Sequence, residues 1–305
     1  MKFVQAPHTI LMVRPYHFGS NPETAASNAF QQQEVQDLSE RAREEFDLAV
    51  DRLRAHQIDV IVVEDTDHPP KPDAVFPNNW FTTHPDGSVV FYPMMAASRR
   101  QERRQDVVQL LQAKFAVQKS IDLSPHESEG HYLEGTGSII FDHPNRIAYC
   151  CESPRSSKMV FEMLCKKLEY ESIFFHAADR HGQAIYHTNV MMWVGSAVAG
   201  LCLDSIRDAN EQEWLLNRLN DTGHRVVSIS FDQMSSFAGN MIEVLDQRGE
   251  KYLLMSQAAC DSLVPGQIKE LQKHAHLLPI SIPTIERGGG GSIRCMVAGI
   301  HLPGR

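Results

Sequence analysis

The sequence is poor in cysteine and has none at a metal-binding spacing. Only six cysteines occur in 305 residues, and no two of them form a CxxC pair. Disulfide-stabilised secreted domains are much denser in cysteine, and structural zinc sites need paired ligands at short spacing. The pattern therefore excludes a disulfide scaffold and a zinc centre, and it predicts a protein of a reducing compartment, the cytoplasm.

Excess positive charge and long apolar runs are also missing. The formal net charge is -9 at pH 7, whereas nucleic acids and anionic membranes attract basic surfaces. No apolar run approaches the roughly 20 residues that cross a bilayer. We therefore expect neither a nucleic-acid nor a membrane partner, and residues 1–18 show no signal-peptide pattern.

What the sequence does contain is an internal repeat. Ser138, Asn189 and Asn240 occupy corresponding places and are spaced 51 residues apart. Each repeat begins at a polar-to-apolar junction and continues with two strand-like runs, a helical stretch and a returning strand. The five junctions are residues 78–81, 134–141, 187–193, 239–245 and 292–300.

The fifth unit is complete only when the two ends of the chain are joined. Its first strand would come from residues 292–300, and the rest from residues 10–18, 39–56 and 58–65. In its helix, behind Ser39 as the expected N-cap, apolar residues follow the period of one buried face, namely Ala42, Phe46, Ala49, Val50 and Leu53. Such closure predicts an α/β fold of one domain over residues 1–305, a closed five-bladed pseudo-symmetric α/β-propeller of ββαβ units around a central channel. An open α/β sheet is the alternative.

In a closed ring the first strands point inward, so the five junctions would converge on one site. They bring a cysteine, a histidine and two carboxylates, at Cys295, His187, Glu134 and Asp73. A thiolate can attack carbon, an imidazole can move protons, and carboxylates can hold N–H donors. The glycines at 288–291 would allow positive φ and close backbone approach, so that the cysteine is presented on a tight loop. This combination favours nucleophilic catalysis.

Ordinary structural explanations account for the other motifs. Cysteine is often a small buried hydrophobe, and we expect this of Cys150, Cys151, Cys165, Cys202 and Cys260. The glycine run lacks the Lys-Ser/Thr of a phosphate-binding loop and opens no recognisable helix. The histidines of residues 126–131 are five apart, which does not suit zinc on a helix face, so we expect a polar loop there.

These residues resemble the signatures of the guanidine-modifying superfamily, the penteins, which include arginine deiminases, dimethylarginine dimethylaminohydrolases and amidinotransferases. The similar motifs are D-x-V-F at residues 73–76, the acidic residue Glu134 before glycine, the His-Thr-Asn triplet at 187–189, and the glycine-rich loop that ends at Cys295. The resemblance covers essentially the whole chain, and the chain is most similar to the citrulline-utilisation hydrolase group. It implies a five-bladed ring of ββαβ units.

The resemblance also implies roles for individual residues. Cys295 would be the nucleophile, His187 the general acid/base, and Glu134 the group that holds substrate nitrogens and orients the histidine. The substrate-binding residues would be Asp73, Asn78, Asn79, Arg99, Arg155, Asn189 and Asn240. Arg99 and Arg155 match positions that bind a substrate α-carboxylate, for which bidentate pairing is chemically suited. Surface charge at a helix N-terminus is the alternative for both arginines.

The chain departs from the deiminase pattern at three positions. The resemblance leads one to expect acidic residues at 78, 79 and 189, where this chain has asparagine. Carboxylates suit a cationic guanidinium, whereas the amide of asparagine suits a neutral ureido group. The sequence therefore predicts a cysteine-dependent hydrolase of C–N bonds in a guanidino or ureido amino acid. Citrulline is the favoured substrate, giving ornithine, ammonia and carbon dioxide.

Other functions share the same residues and stay open. An arginine deiminase or dimethylarginine-type hydrolase would act on a guanidinium, and in an amidinotransferase a second amine would replace water. A non-enzymatic alternative is a catalytically silent ring used as a binding module. The predicted mechanism uses protein groups alone, so we expect no metal and no organic cofactor. The expected partner is a small-molecule substrate, and a homo-oligomer is left open.

Overall fold

The computed structural model describes residues 3–25, 28, 30–32 and 38–305, which form fifteen strands and eleven α-helices. The strands are β1 (Thr9–Arg14), β2 (Asp59–Glu64), β3 (Phe81–Thr83), β4 (Ser88–Phe91), β5 (Lys119–Asp122), β6 (Ile139–Asp142), β7 (Ile147–Cys151), β8 (Glu171–Phe175), β9 (Met192–Val194), β10 (Val198–Leu201), β11 (Arg225–Ser228), β12 (Ile242–Leu245), β13 (Lys251–Ser256), β14 (His276–Ile280) and β15 (Ala298–Ile300). The α-helices are α1 (Pro22–Ala25), α2 (Ser39–Ala55), α3 (Ala97–Arg100), α4 (Gln105–Lys114), α5 (Gly135–Ser138), α6 (Lys158–Leu168), α7 (Ala209–Asp221), α8 (Phe231–Ser235), α9 (Gln257–Ser262), α10 (Pro265–Leu271) and α11 (Pro283–Gly289). No helix within these described ranges has the length and apolar character needed to cross a bilayer.

The strands form five three-stranded sheets that share one topology. The sheets are β3-β4-β5, β6-β7-β8, β9-β10-β11, β12-β13-β14 and β15-β1-β2. In each sheet the first strand pairs antiparallel with the second, and the second pairs parallel with the third. A parallel return needs a crossover connection, and in every unit a helix lies between the second and third strands. The predicted ββαβ unit is confirmed at all five places.

The sheet β15-β1-β2 joins the two ends of the chain. Antiparallel pairing places Thr9 opposite Ile300 and Leu11 opposite Ala298. Parallel pairing with β2 runs from Thr9 to Arg14 without interruption. The prediction that the last strand completes the unit begun near the N-terminus is therefore confirmed.

Helix α2 shows how the sequence pattern becomes packing. The five apolar residues predicted for its inner face are all buried, and a fully buried side chain such as Phe46 contributes about 1.5–3 kcal/mol. The predicted N-cap is wrong, because the helix begins at Ser39 and Leu38 precedes it. The Ser39 hydroxyl instead accepts a hydrogen bond from the backbone N–H of Phe18 at 2.8 Å. This hydroxyl therefore holds the backbone at Phe18 against the start of α2 and does not cap the helix.

Three of the five junctions begin with a helical turn rather than with a strand. Pro77–Asn79 and Thr188–Val190 form 3₁₀ turns, and α5 lies in the junction at residues 134–141. The strands β3, β6 and β9 follow shortly after these turns. The polar residues singled out from the sequence therefore lie where the chain turns, just before each first strand.

Candidate active site

Glu134 and His187 form a hydrogen-bonded pair at two of these turns. Glu134 directly precedes α5 and is fully buried, and His187 directly precedes the turn Thr188–Val190. The Nε2 atom of His187 lies 2.8 Å from Oε2 of Glu134. The backbone N–H of Met95 donates to the other carboxylate oxygen at 3.0 Å. The carboxylate thus favours the imidazole tautomer protonated at Nε2, which leaves Nδ1 as the acceptor.

Burial and neighbouring charges set the protonation of this pair. Burial opposes ionisation of Glu134, but Arg155 at 3.4 Å and His187 outweigh it and hold the pKa of that carboxyl well below its usual value. Burial lowers the pKa of His187 to about 4, against the raising effect of Glu134. At neutral pH the pair is therefore a carboxylate and a neutral imidazole that can accept a proton.

Cys295 lies in the turn between α11 and β15 and is 6% exposed. Its sulfur is contacted by two side-chain amides, with Nδ2 of Asn189 at 3.4 Å and Nδ2 of Asn240 at 3.3 Å. The Asn240 amide also donates to the backbone carbonyl of Asn189 at 3.0 Å, which fixes its orientation. Two N–H groups directed at the sulfur can position it and stabilise negative charge that develops there.

The glycines before Cys295 end helix α11 and let the backbone pass close to an aromatic ring. Gly290 has a φ of +64°, as predicted for a glycine in this run. A β-carbon at Gly289 would lie 2.6 Å from the ring of Phe76, and one at Gly291 would lie 3.3 Å from Cβ of Cys295. Larger residues would therefore displace the turn that carries the cysteine.

One narrow cavity joins the thiol and the imidazole, although Cys295 and His187 are 108 positions apart. The described residues that line it are Thr24, Asn28, Asp73, Phe76, Asn79, Arg99, Arg155, Tyr186, His187, Gly289, Gly290, Gly291 and Cys295. Glu134 is not among these lining residues, and its connection to the cavity is the hydrogen bond with the imidazole of His187. The cavity therefore offers a nucleophile, a proton acceptor and several polar side chains to a small molecule.

The predicted substrate-binding asparagines are placed differently from one another. Asn79 lines the cavity, and its Oδ1 accepts a hydrogen bond from Arg99 at 2.9 Å. Asn189 and Asn240 contact the sulfur and are not part of the cavity lining. Asn78 is buried, and neither polar atom of its amide has a hydrogen-bond partner among the described residues. The asparagines therefore shape the site, with Asn79 nearest to a bound ligand.

Arg99 and Asp73 both line the cavity and interact with each other. Oδ2 of Asp73 accepts a hydrogen bond from Asn21 at 2.7 Å and lies 3.8 Å from Nε of Arg99. Nε and Nη2 of Arg99 each lie 2.9 Å from an oxygen of Glu102. This carboxylate, which the sequence reasoning missed, occupies the Nε–Nη2 edge of the guanidinium in a bidentate pair. Its position three residues after Arg99 was the available signal.

Arg155 and Tyr186 also belong to the lining and contact each other. The guanidinium carbon of Arg155 lies 5.1 Å from the centre of the Tyr186 ring, within cation–π range. The Tyr186 hydroxyl donates to the backbone carbonyl of Gly290 at 2.9 Å and so ties this wall to the glycine turn. Sequence reasoning did not select Tyr186, although it directly precedes His187 at a junction.

Comparisons with known proteins agree with this architecture. The family model described as N,N dimethylarginine dimethylhydrolase, eukaryotic, matches residues 14–302. No curated protein sequence matches the chain significantly. The substrate-bound N-terminal domain of ArgZ, an arginine dihydrolase from the ornithine–ammonia cycle in cyanobacteria, is similar with a TM-score of 0.75 and 17% identity, covering 97% of this chain and 98% of that domain.

Two further solved structures are similar over nearly all of this chain. AgrE in complex with L-arginine has a TM-score of 0.73 and 17% identity, and the match covers 97% of this chain and 40% of AgrE. A dimethylarginine dimethylaminohydrolase in an adduct with 4-chloro-2-hydroxymethylpyridine has a TM-score of 0.66 and 12% identity, covering 96% and 99%. At these identities the likeness establishes a shared α/β fold.

Proposed function

Because the chain belongs to the N,N-dimethylarginine dimethylhydrolase family of the guanidine-modifying superfamily, we propose that it is a cysteine-dependent hydrolase of C–N bonds in a guanidino or ureido amino acid. The observation that carries this proposal is the cavity shared by Cys295 and His187, with Glu134 hydrogen-bonded to the imidazole. Covalent hydrolysis needs a nucleophile, a group that transfers protons and a group that orients it. The three residues supply these parts in one place.

The proposed reaction has two covalent steps. The thiol proton of Cys295 passes to Nδ1 of His187 as the sulfur attacks the central carbon of the substrate. That proton then goes to the departing nitrogen, the C–N bond breaks, and the remaining group stays bonded to sulfur. Water attacks the same carbon, His187 accepts its proton, and the C–S bond breaks. The proton on His187 returns to the sulfur, and the product released is a carbamic acid. For citrulline this carbamic acid loses carbon dioxide and so breaks the second C–N bond, and one water in all gives ornithine, ammonia and carbon dioxide.

The charges around the cavity favour a neutral ureido group, and citrulline is the proposed substrate. Glu134 is paired with Arg155 at 3.4 Å, and Glu102 is paired with Arg99 at 2.9 Å. Asp73 already accepts a hydrogen bond and lies 3.8 Å from the same Arg99. Among the described residues, each of these three carboxylates therefore has a cationic neighbour. A guanidinium leaving water would gain little compensation, whereas a ureido group carries no charge to compensate.

Arginine is the second candidate substrate. Of the similar structures, ArgZ is named an arginine dihydrolase and AgrE was solved with L-arginine. In this chain Asp73 would be the carboxylate closest to a bound guanidinium, because it lines the cavity itself. An arginine-cleaving enzyme would therefore depend on Asp73 more strongly than a citrulline-cleaving one.

The proposal includes a closed ring of five sheets within a single domain. First strands of different units contact each other, as in β15 with β3, β6 with β9, and β9 with β12. Gln5 bridges two of these units, since its Nε2 donates to the carbonyls of Phe141 and Val194 at 2.9 Å. A cytoplasmic location belongs to the same proposal and is supported by six free cysteines.

A substrate panel tests the proposed function. Purified protein is incubated with citrulline, arginine, dimethylarginine and agmatine, and ammonia, ornithine and citrulline are quantified. We expect kcat/KM for citrulline to exceed that for arginine by at least about tenfold, which corresponds to roughly 1.4 kcal/mol of transition-state preference. Release of ammonia from arginine with accumulation of citrulline would contradict the charge argument. A folded protein that turns over none of the four would favour the binding module.

A further inference from the structure

A second cavity lies among the first strands of all five units. Its lining includes residues of β3, β6, β9, β12 and β15, and none of the described residues lines both this cavity and that of Cys295. The ionisable residues His143, Glu243, Arg294 and His301 belong to this lining. It contains the residue next to the nucleophile, Arg294, but not the nucleophile itself.

Arg294 brings a nearly unpartnered cation to this cavity. The residue is 9% exposed, and its Nη1 donates a hydrogen bond to the backbone carbonyl of Val297 at 3.0 Å. Among the residues that the structure describes, Arg294 has no carboxylate within ion-pair distance. A guanidinium has five N–H donors, so most of its donor capacity is unused. Burial lowers the pKa of Arg294 to about 10, against the raising effect of Cys295, and the side chain stays charged at pH 7.

The histidines beside Arg294 add donors without adding negative charge. The rings of His143 and His301 lie 4.1 Å apart, and Nδ1 of His143 is 2.8 Å from the Tyr170 hydroxyl. Burial, together with the neighbouring His84 and Arg294, lowers the pKa of His301 to about 3. A nearby carboxylate would act in the opposite direction. The imidazoles are therefore neutral at pH 7, and a neutral imidazole still offers one N–H.

The carboxylate in the cavity lining, Glu243, is already engaged elsewhere. Its oxygens accept hydrogen bonds from the hydroxyl of Ser196 and from the backbone N–H of Ser196 at 3.1 Å. These donors are neutral, and the carboxylate lies more than 4.0 Å from the Arg294 guanidinium, so it forms no ion pair with Arg294. A buried cation without a counter-ion is costly, and a bound anion would remove that cost.

We propose that this cavity is an anion site in which the guanidinium of Arg294 binds a small oxyanion of the phosphate or carboxylate type. The planar fork of a guanidinium matches two oxygens of such an anion, and His143 and His301 can donate to the others. The site is separate from the substrate cavity and does not depend on the proposed hydrolase function. Because Val297 donates its backbone N–H to the Arg294 carbonyl in the turn of Cys295, a bound anion would stabilise that turn.

Thermal unfolding in the presence of inorganic phosphate tests this site. Melting temperature is measured at pH 7 over a phosphate series, with sodium chloride at matched ionic strength as the reference and acetate as the carboxylate arm. Phosphate should raise Tm in a saturable manner, because a ligand of the folded state stabilises it by mass action. Equal effects of phosphate, acetate and chloride would overturn the proposal. A response to acetate alone would identify a carboxylate as the ligand.

Variants separate this site from the substrate cavity. Arg294→Gln should lose the phosphate response measured against its own melting temperature. If that variant does not fold, His301→Gln should weaken the apparent phosphate affinity by about fivefold, as expected for one lost hydrogen bond. Arg155→Lys is the matched control in the substrate cavity and should keep the full response. A response lost in the Arg155 variant and kept in both others would overturn the assignment.

Discussion

Buried histidines should make the stability of this protein fall steeply with pH between about 6.5 and 4. Burial is the main cause that lowers the pKa of His84 from 6.5 to about 4. The same cause lowers the pKa of His187 to about 4 and of His301 to about 3. As pH falls, the unfolded chain therefore takes up these protons before the folded protein does. Their contribution to stability is complete above pH 6.5 and is lost as pH falls through the window.

The expected loss can be worked out for pH 5. This pH is about 1.5 below 6.5, and each pH unit in the window costs about 1.36 kcal/mol, so each histidine costs about 2 kcal/mol. Glu102 acts in the opposite direction, because burial raises its pKa to about 7 and the folded protein takes up that proton first. Between pH 7 and pH 5 this proton uptake stabilises the folded protein by about 3 kcal/mol and offsets part of the loss from the histidines. For His84, His187 and His301 together, the net loss is about 3 kcal/mol.

Urea unfolding of one variant isolates a single histidine. The free energy of unfolding is measured at pH 7 and pH 5 for the wild type, for His84→Gln and for His8→Gln, which alters an exposed histidine. Between the two pH values His84→Gln should lose about 2 kcal/mol less stability than the wild type, whatever its stability at pH 7. The His8 variant should follow the wild type. Equal losses in the wild type and in His84→Gln would refute this account of acid lability.

Three further predictions concern the candidate active site. Iodoacetamide should modify Cys295 before the other five cysteines, because Cys295 lines the cavity and burial raises the pKa of each of the others, for example that of Cys151 to about 11. Peptide mapping that finds another cysteine labelled first would contradict this prediction. Glu134→Gln should reduce kcat at least about 100-fold, because the analogous loss of an orienting carboxylate lowers kcat about 10⁴-fold in serine hydrolases. A kcat near the wild-type value would show that the 2.8 Å contact to His187 is not used in turnover. Asn79→Asp should shift the ratio of kcat/KM for citrulline to kcat/KM for arginine toward arginine, because it adds a carboxylate at the cavity wall. Asn78→Asp, which lies outside the lining, is the comparison, and an unchanged ratio for Asn79→Asp would refute the charge argument.

Most of the repeat could be predicted because its signals are local. Apolar periodicity located the second strands, the crossover helices and the returning strands of all five units. Counting the units predicted that residues 292–300 complete the unit begun near the N-terminus, which the sheet β15-β1-β2 confirms. The start of α2 was misassigned, because the Ser39 hydroxyl has a tertiary partner in Phe18. The helical turns before β3, β6 and β9 carry no periodic signal, since each spans only three or four residues.

The residues of the candidate site could be predicted from the sequence, but the orientations of their side chains could not. Repeat position selected Cys295, His187 and Glu134, which the structure links through one cavity and one hydrogen bond. Which polar side chains face the cavity depends on side-chain rotation within a turn, and sequence spacing does not determine it. For the same reason the pairing of Glu102 with Arg99 was missed, and the predicted binding of a substrate α-carboxylate by Arg99 stays a prediction.

The dependence of turnover on one thiol tests the central claim most directly. The measurement is kcat/KM for citrulline in the wild type, in Cys295→Ser and in Cys202→Ser, which changes a buried cysteine in another unit. Serine lacks the nucleophilicity of a thiolate at neutral pH, so Cys295→Ser should keep its fold, judged by circular dichroism, and lose turnover. Cys202→Ser should remain active. Citrulline turnover by Cys295→Ser near the wild-type rate would contradict covalent catalysis by this cysteine.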